Sequence, residues 1–188
     1  IEPILELANN FYMIENYSQA FNLFKMAASM NMDSSELSPM IGILKTQMAK
    51  GEMQEAEMQL PFFTEMLEGE KVKSAEGQLI QGMLISRKNI DKKNLQALEN
   101  MLQESNRALD DCLKNHISAQ KKLSQNLEFY IALNPDFLLT LCNELLYHSD
   151  FNLNQLKARI QNPITPTHLI KKAIKLLETT IKKVPGLI

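Results

Sequence analysis

Apolar residues along positions 1–30 recur at helical rather than strand spacing. Leu7, Ala8 and Phe11 stand at i, i+1 and i+4, and Ala20, Phe24 and Ala27 at i, i+4 and i+7. Each set falls on one face of an α-helix. Between them lies a polar stretch around Glu15 and Asn16, too short for anything but the turn of an antiparallel helical hairpin. The second stripe holds its one large side chain between two alanines, so the pair is expected to come closest at the alanines, with Phe24 filling the space between.

The arrangement returns downstream. Met40, Ile43, Leu44 and Gln47 share a face, Gly51 supplies a turn, and Ala56, Leu60 and Phe63 repeat the small-large spacing 36 residues after Ala20. Pro61 is expected to kink that second helix. Past Gly69 the signal thins. Residues 73–88 predict one helix, and residues 89–116 a long one with Leu95, Leu98, Met101, Leu102, Leu109 and Leu113 on its apolar face. Residues 117–133 read as a loop and a short helix around Leu127 to Ala132. Asn134 is placed as an N-cap and Pro135 at the first helical position, ahead of a stripe of Leu138, Leu141, Leu145 and Leu146. The polar run from Ser149 to Thr165, with Pro163 in it, predicts an excursion from the helical stack. In the last helix Leu169, Ile170, Ala173, Ile174, Leu177 and Ile181 form the apolar face, and Pro185 follows its end.

Large-small-large followed by small-large-small is the pattern of a tetratricopeptide (TPR) repeat. The chain is therefore expected to be all-α, a TPR-type α-solenoid of antiparallel helix hairpins in a right-handed superhelical stack. TPR-like repeats are expected at 1–34 and 35–70, a degenerate helical repeat at 71–116, a loop and short helix at 117–133, and a further repeat at 134–188 split by the insertion at 149–165, all within one longer solenoid. The positions expected to carry the repeat are Leu7, Ala8, Phe11, Ala20, Phe24, Ala27, Ala56, Leu60, Phe63, Ala173, Leu177 and Pro185.

Composition agrees with a helical core: 45% of the 188 residues are apolar and only six are glycine. The opening residues have neither a basic start nor an apolar leader, and no apolar run is long enough to span a bilayer, so a soluble fragment of something longer is expected. Cys112 and Cys142 have no metal-ligand spacing and read as buried free thiols in a reducing compartment. The methionines at positions 13, 26, 30, 40, 48, 58 and 66 read as fillers of the core between repeats.

Charge changes the picture more. The net charge of −2 gives no attraction to nucleic acid, yet residues 1–80 carry 12 acidic and 5 basic side chains, whereas residues 157–188 carry 7 basic and 1 acidic. On the last helix Lys171, Lys172, Lys175, Lys182 and Lys183 are expected on the solvent side, a candidate surface for an acidic partner.

Chemistry-bearing residues are sparse. His116, His148 and His168 are scattered, and Glu144 with His148 at i, i+4 reads as a surface helix contact rather than half of a metal site. No phosphate-binding glycine loop or nucleophile motif is present. Asp110–Asp111 and Glu55–Glu57 are paired only in sequence. Neither catalysis nor a cofactor is expected. The rival reading is a TPR adaptor or co-chaperone that binds a peptide in its concave groove. A carboxylate clamp of that kind needs several bases on successive first helices, where this chain offers Asn9, Asn10 and Lys45.

The stretches KGEMQEAEMQLPFFTEM followed by KSAE, YIALNPDFLLTLCNELLYH and LLETTIKKVPGLI, in that order and spacing, resemble the tetratricopeptide repeat protein 21 family, the TPR-only large subunit of intraflagellar transport complex A. The resemblance covers about Asn31 to Ile188. It implies a non-catalytic scaffold in retrograde ciliary transport and ciliary protein trafficking. The implied partners are the other subunits of that complex, WD40/TPR subunits among them, in a large hetero-oligomeric train. The implied location is the cytoplasm, the cilium, the axoneme and the ciliary base.

Overall fold

The computed structural model describes residues 1–30, 36–70, 74–88 and 94–121, with helical positions 140, 141, 143, 144, 171, 174, 175, 177, 178 and 182. These residues are helical or in turns, and none of them is in a strand. The defined helices are α1 (Glu2–Met13), α2 (Tyr17–Met30), α3 (Ser38–Lys50), α4 (Met53–Gly69), α5 (Ala75–Ser86) and α6 (Leu95–Lys121). The chain divides into two compact units, Ile1–Asn89 and Ile90–Ile188.

Two hairpins in the first unit close in the same way. At the end of α1, Glu15 takes a left-handed conformation (φ 60°), its N–H donates to the Tyr12 carbonyl (3.0 Å), and the Asn16 N–H donates to the Phe11 carbonyl (2.9 Å). At the end of α3, Gly51 is left-handed (φ 79°), its N–H donates to Met48 O (3.1 Å), and Glu52 N–H donates to Gln47 O (2.9 Å). Both are Schellman motifs, which satisfy carbonyls that a helix end leaves without partners. They lie 36 residues apart, the same interval that separates Ala20 from Ala56. The second helix of the first hairpin is capped by Asn16, whose Oδ1 accepts from the Gln19 N–H (3.4 Å).

Within the first unit α1 packs on α2, α2 on α3, α3 on α4 and α4 on α5, and α3 also touches α1 and α5. With four neighbours, α3 is buried nearly all round, including Ile41, Gly42, Ile43, Leu44, Thr46 and Gln47. Ala8, Ala20 and Ala27 are wholly enclosed, and Phe24 lies among them. In the second hairpin Ala56, Leu60 and Phe63 take the corresponding buried stripe. Polar cross-links tie neighbouring helices: Gln59 Nε2 donates to Gln47 Oε1 (2.9 Å) and Gln81 Nε2 to Thr64 Oγ1 (3.3 Å).

Several expectations need correction. Leu7 is 46% exposed; the α1 stripe runs through Leu5 and Ala8, with Phe11 half-buried, because Leu7 sits about 100° round the helix from Ala8. Met13, Met26, Met30 and Met58 are exposed instead of filling the core, while Met40, Met48 and Met66 are half-buried. The alanine and phenylalanine stripes already complete the hairpin cores, which leaves the four outer methionines no cavity to fill. The expected kink position, Pro61, is not one of these corrections: it is exposed inside α4, which runs from Met53 to Gly69 on both sides of it.

In the second unit, Asn94 caps α6 by accepting from the Ala97 N–H (3.1 Å). The helix runs to Lys121, into the stretch expected as a loop from residue 117. Met101, Leu102, Ser105, Leu109, Cys112, Leu113 and His116 form its buried stripe. Leu141 is buried, and so is Glu144, which overturns the reading of that carboxylate as a surface contact. Ile174, expected on the apolar face of the last helix, is 49% exposed; it belongs to the edge of the apolar arc, beside Lys171 and Lys175. Ala173, Pro185, Cys142, His148, His168, the insertion at 149–165 and the short helix around Leu127 to Ala132 lie outside the described residues.

Candidate interaction groove

The helices α1, α3 and α5 meet around one side chain. Lys45, near the middle of α3, holds its ammonium over aromatic rings, with Nζ 4.8 Å from the centroid of Tyr12 and 5.5 Å from that of Phe24. Its ammonium donates to Asn9 Oδ1 of α1 (2.9 Å) and pairs with Glu76 Oε1 of α5 (3.8 Å). Burial lowers the Lys45 pKa below the usual lysine range, and the charge of Glu76 offsets part of that. Burial also raises the Tyr12 phenol, with smaller contributions from Tyr17 and Glu76. Beside this lysine is a cavity of about 180 Å³. Leu5, Phe24 and Ile41 give it an apolar side, and Glu2, Glu6, Glu36 and Glu76 line it with carboxylates.

The acids have a local reason to be there. Glu2 is in the first turn of α1, Glu76 in the first turn of α5, and Glu36 just precedes α3. Helix N-termini favour negative charge. The sequence reading placed Asn9 and Lys45 on successive first helices, and the structure brings them into contact. It missed the four glutamates; for Glu2, Glu36 and Glu76 the signal was an acid at the start of each of those helices, whereas Glu6 stands one turn further along α1.

The other candidates stand apart. Lys171, Lys175 and Lys182 are exposed helical positions, with Ile174 and Glu178 exposed among them; Lys172 and Lys183 lie outside the described residues. Asp110 and Asp111 both reach Lys114, the latter at 3.4 Å, so these neighbours share a cation rather than diverging. Cys112 is buried and free, and its thiol pKa is raised by burial. Burial lowers the His116 imidazole pKa. Among the described residues no group of His, Cys, Asp and Glu could hold a metal ion, and no helix is long and apolar enough to cross a membrane.

Stacked helical hairpins with recurring caps and a groove between alternate helices define a helical-repeat protein. A family model described as the tetratricopeptide repeat protein 21 second ARM domain matches residues 2–188. The chain is 29% identical to mouse (Mus musculus) tetratricopeptide repeat protein 21B over 99% of its length, 30% identical to the Xenopus laevis protein of that name over 99%, and 25% identical to human tetratricopeptide repeat protein 21A over 85%. It belongs to the tetratricopeptide repeat protein 21 family. The aligned part is 13%, 13% and 11% of those relatives, so the chain corresponds to one segment of proteins several times longer.

Proposed function

We propose that the chain is a segment of a non-catalytic protein–protein interaction scaffold, acting within intraflagellar transport complex A in retrograde ciliary transport and ciliary protein trafficking. The observation that carries this reading is the family match over residues 2–188, joined to a repeat surface whose polar features suit binding. Its partners are the other subunits of that complex, including WD40/TPR subunits, and its place is the cytoplasm, the cilium, the axoneme and the ciliary base. The row Lys171, Lys172, Lys175, Lys182 and Lys183 offers an acidic stretch of a neighbouring subunit a basic counterpart, acting mainly through steering. No cofactor, nucleic acid or membrane-spanning segment enters this reading.

The test is to excise this segment from the full-length subunit in ciliated cells and to purify the complex with cross-linking mass spectrometry. Cross-links from the native segment to complex A subunits, and loss of incorporation on excision, are expected. Unchanged assembly and retrograde transport without the segment overturn the reading.

A further inference from the structure

We propose that the outer faces of α2 and α4 dock an amphipathic helix of a partner protein, one that carries large apolar side chains flanked by lysine or arginine. The inference rests on the scaffold reading and adds the chemistry of one contact. The 36-residue interval makes Asn22, Met26 and Met30 on α2 correspond to Met58, Phe62 and Met66 on α4, two, six and ten residues after Ala20 and Ala56. Each set stands at i, i+4 and i+8 and forms a row along its helix. The rows point away from the hairpin core, since residues 22 and 26 stand about 160° round the helix from Phe24, and residues 58 and 62 likewise from Leu60. Met26, Met30, Met58 and Phe62 are exposed, Met58 at 82% and Phe62 at 57%, and Met66 is half-buried. Exposed apolar residues scattered singly need no partner. These are not scattered: they recur at the same positions of successive hairpins, and hairpins of one stack present corresponding faces to the same side.

Charge indicates what covers the rows. Glu55 and Glu65, both exposed, stand three residues before Met58 and three after Phe62, and α4 has no base. On α2 the one charged side chain, Lys25, has its ammonium over the Phe21 ring (5.4 Å). Methionine-rich apolar surfaces adapt to the helices laid on them, and acids at the margin attract bases on such a helix. A helix suits rows spaced at i, i+4, because its own ridges of that spacing fit between them. A strand has nothing to pair with, since the described residues offer no sheet edge. The same acids repel anionic lipid headgroups and nucleic acid.

The test uses the 188-residue chain, carbon-13 labelled at its methionine methyls, and three fluorescein-labelled peptides of equal length. One sets leucine and lysine at amphipathic helical spacing, the second has glutamate for lysine, and the third scrambles the first. Anisotropy gives affinity, and methyl NMR gives the place. The leucine/lysine helix is expected to bind, to weaken with salt, and to shift the methyls of Met26, Met30 and Met58 while Met101, buried on α6, stays in place. M26Q/M30Q and M58Q/F62Q change exposed residues only; each is expected to keep the helical signal and lose about tenfold in affinity. E55Q/E65Q is expected to reduce the salt dependence. M13Q, exposed at the end of α1, should bind as the parent does. Lysine-peptide binding that survives both apolar double variants overturns the proposal. So do equal binding of either control peptide, a salt dependence that E55Q/E65Q leaves unchanged, and absence of binding. Vesicles of anionic lipid that shift the same methyls, or a dimer in sedimentation that M58Q/F62Q dissociates, overturn it in favour of a membrane or a second copy. None of these results touches incorporation into the complex, which is what decides the scaffold reading.

Discussion

The ring of Phe24 lies where a β-carbon on residue 42 would stand. Gly42 belongs to α3 and Phe24 to α2, so the first hairpin meets the second with no room for even a methyl group. Gly42→Ala gains about 1 kcal/mol in helix propensity but forces the ring aside, and overpacking of this kind costs about 1–3 kcal/mol. A net loss of stability is expected in chemical denaturation, with Phe24→Leu and Gly42→Ala non-additive in a double-mutant cycle. Additive behaviour would mean that the two residues do not meet.

The neighbouring alanine makes a harsher test of the same packing. Ala20 is wholly enclosed between helices, and Ala20→Glu puts a carboxylate there without a partner, a class of change that costs several kcal/mol. A melting temperature within a degree or two of the parent would show that the stripe is misplaced.

How much of this could be read from the chain depends on how local each feature is. The Ala20–Phe24–Ala27 stripe and its copy at Ala56 were legible because spacing and side-chain size both encode them within one helix. Leu7 and Ile174 were misassigned because each stands at the edge of an apolar arc, where periodicity alone cannot decide. The outer methionines were misassigned because a flexible thioether suits both core and surface. The groove was not legible: Glu6, Glu36 and Glu76 are far apart in sequence, and only the stacking of α1, α3 and α5 brings them together. Glu15 gave no sign of its backbone state, since glutamate is not a residue that announces a left-handed turn.

That turn yields a paired prediction. Glu15 and Gly51 hold corresponding left-handed positions, which a side chain with a β-carbon resists. Glu15→Gly is expected to stabilise by about 0.5–1 kcal/mol, and Gly51→Ala to destabilise by about 1 kcal/mol, the space around Gly51 being open so that only its backbone conformation matters. Denaturation midpoints of the two variants should therefore move in opposite directions.

Lys45 gives a prediction with a defined sign. Its folded pKa lies below the ordinary 10.5 because burial disfavours the ammonium. Between the folded pKa and 10.5 the unfolded chain binds more protons, so this group makes stability rise as pH climbs through that window. Lys45→Met keeps an unbranched side chain of similar length, and removes the cation from the Tyr12 and Phe24 rings, from Asn9 and from a half-exposed Glu76. The variant is expected to be at least as stable as the parent at pH 7 and to lose part of the rise toward pH 10. A markedly less stable variant would show that the cation's contacts outweigh its burial.

His116 carries the opposite end of the pH scale. It lies on the buried stripe of α6 beside Cys112 and Leu113, and burial lowers its pKa from the ordinary 6.5. Below that value the unfolded chain takes up a proton that the folded chain refuses. Stability from this group is therefore present at neutral pH, declines as pH falls from about 6.5 toward the folded pKa, and declines no further below it. The slope cannot exceed about 1.4 kcal/mol per pH unit, the limit for one proton. NMR titration of the three imidazoles should place His116 below 6.5. Urea denaturation at pH 7.5 and pH 5 should show a smaller acid-induced loss for His116→Gln than for the parent. An imidazole that titrates at or above 6.5, or an equal acid loss in the two proteins, would mean that the folded chain accepts the proton and that this face of α6 is open to water.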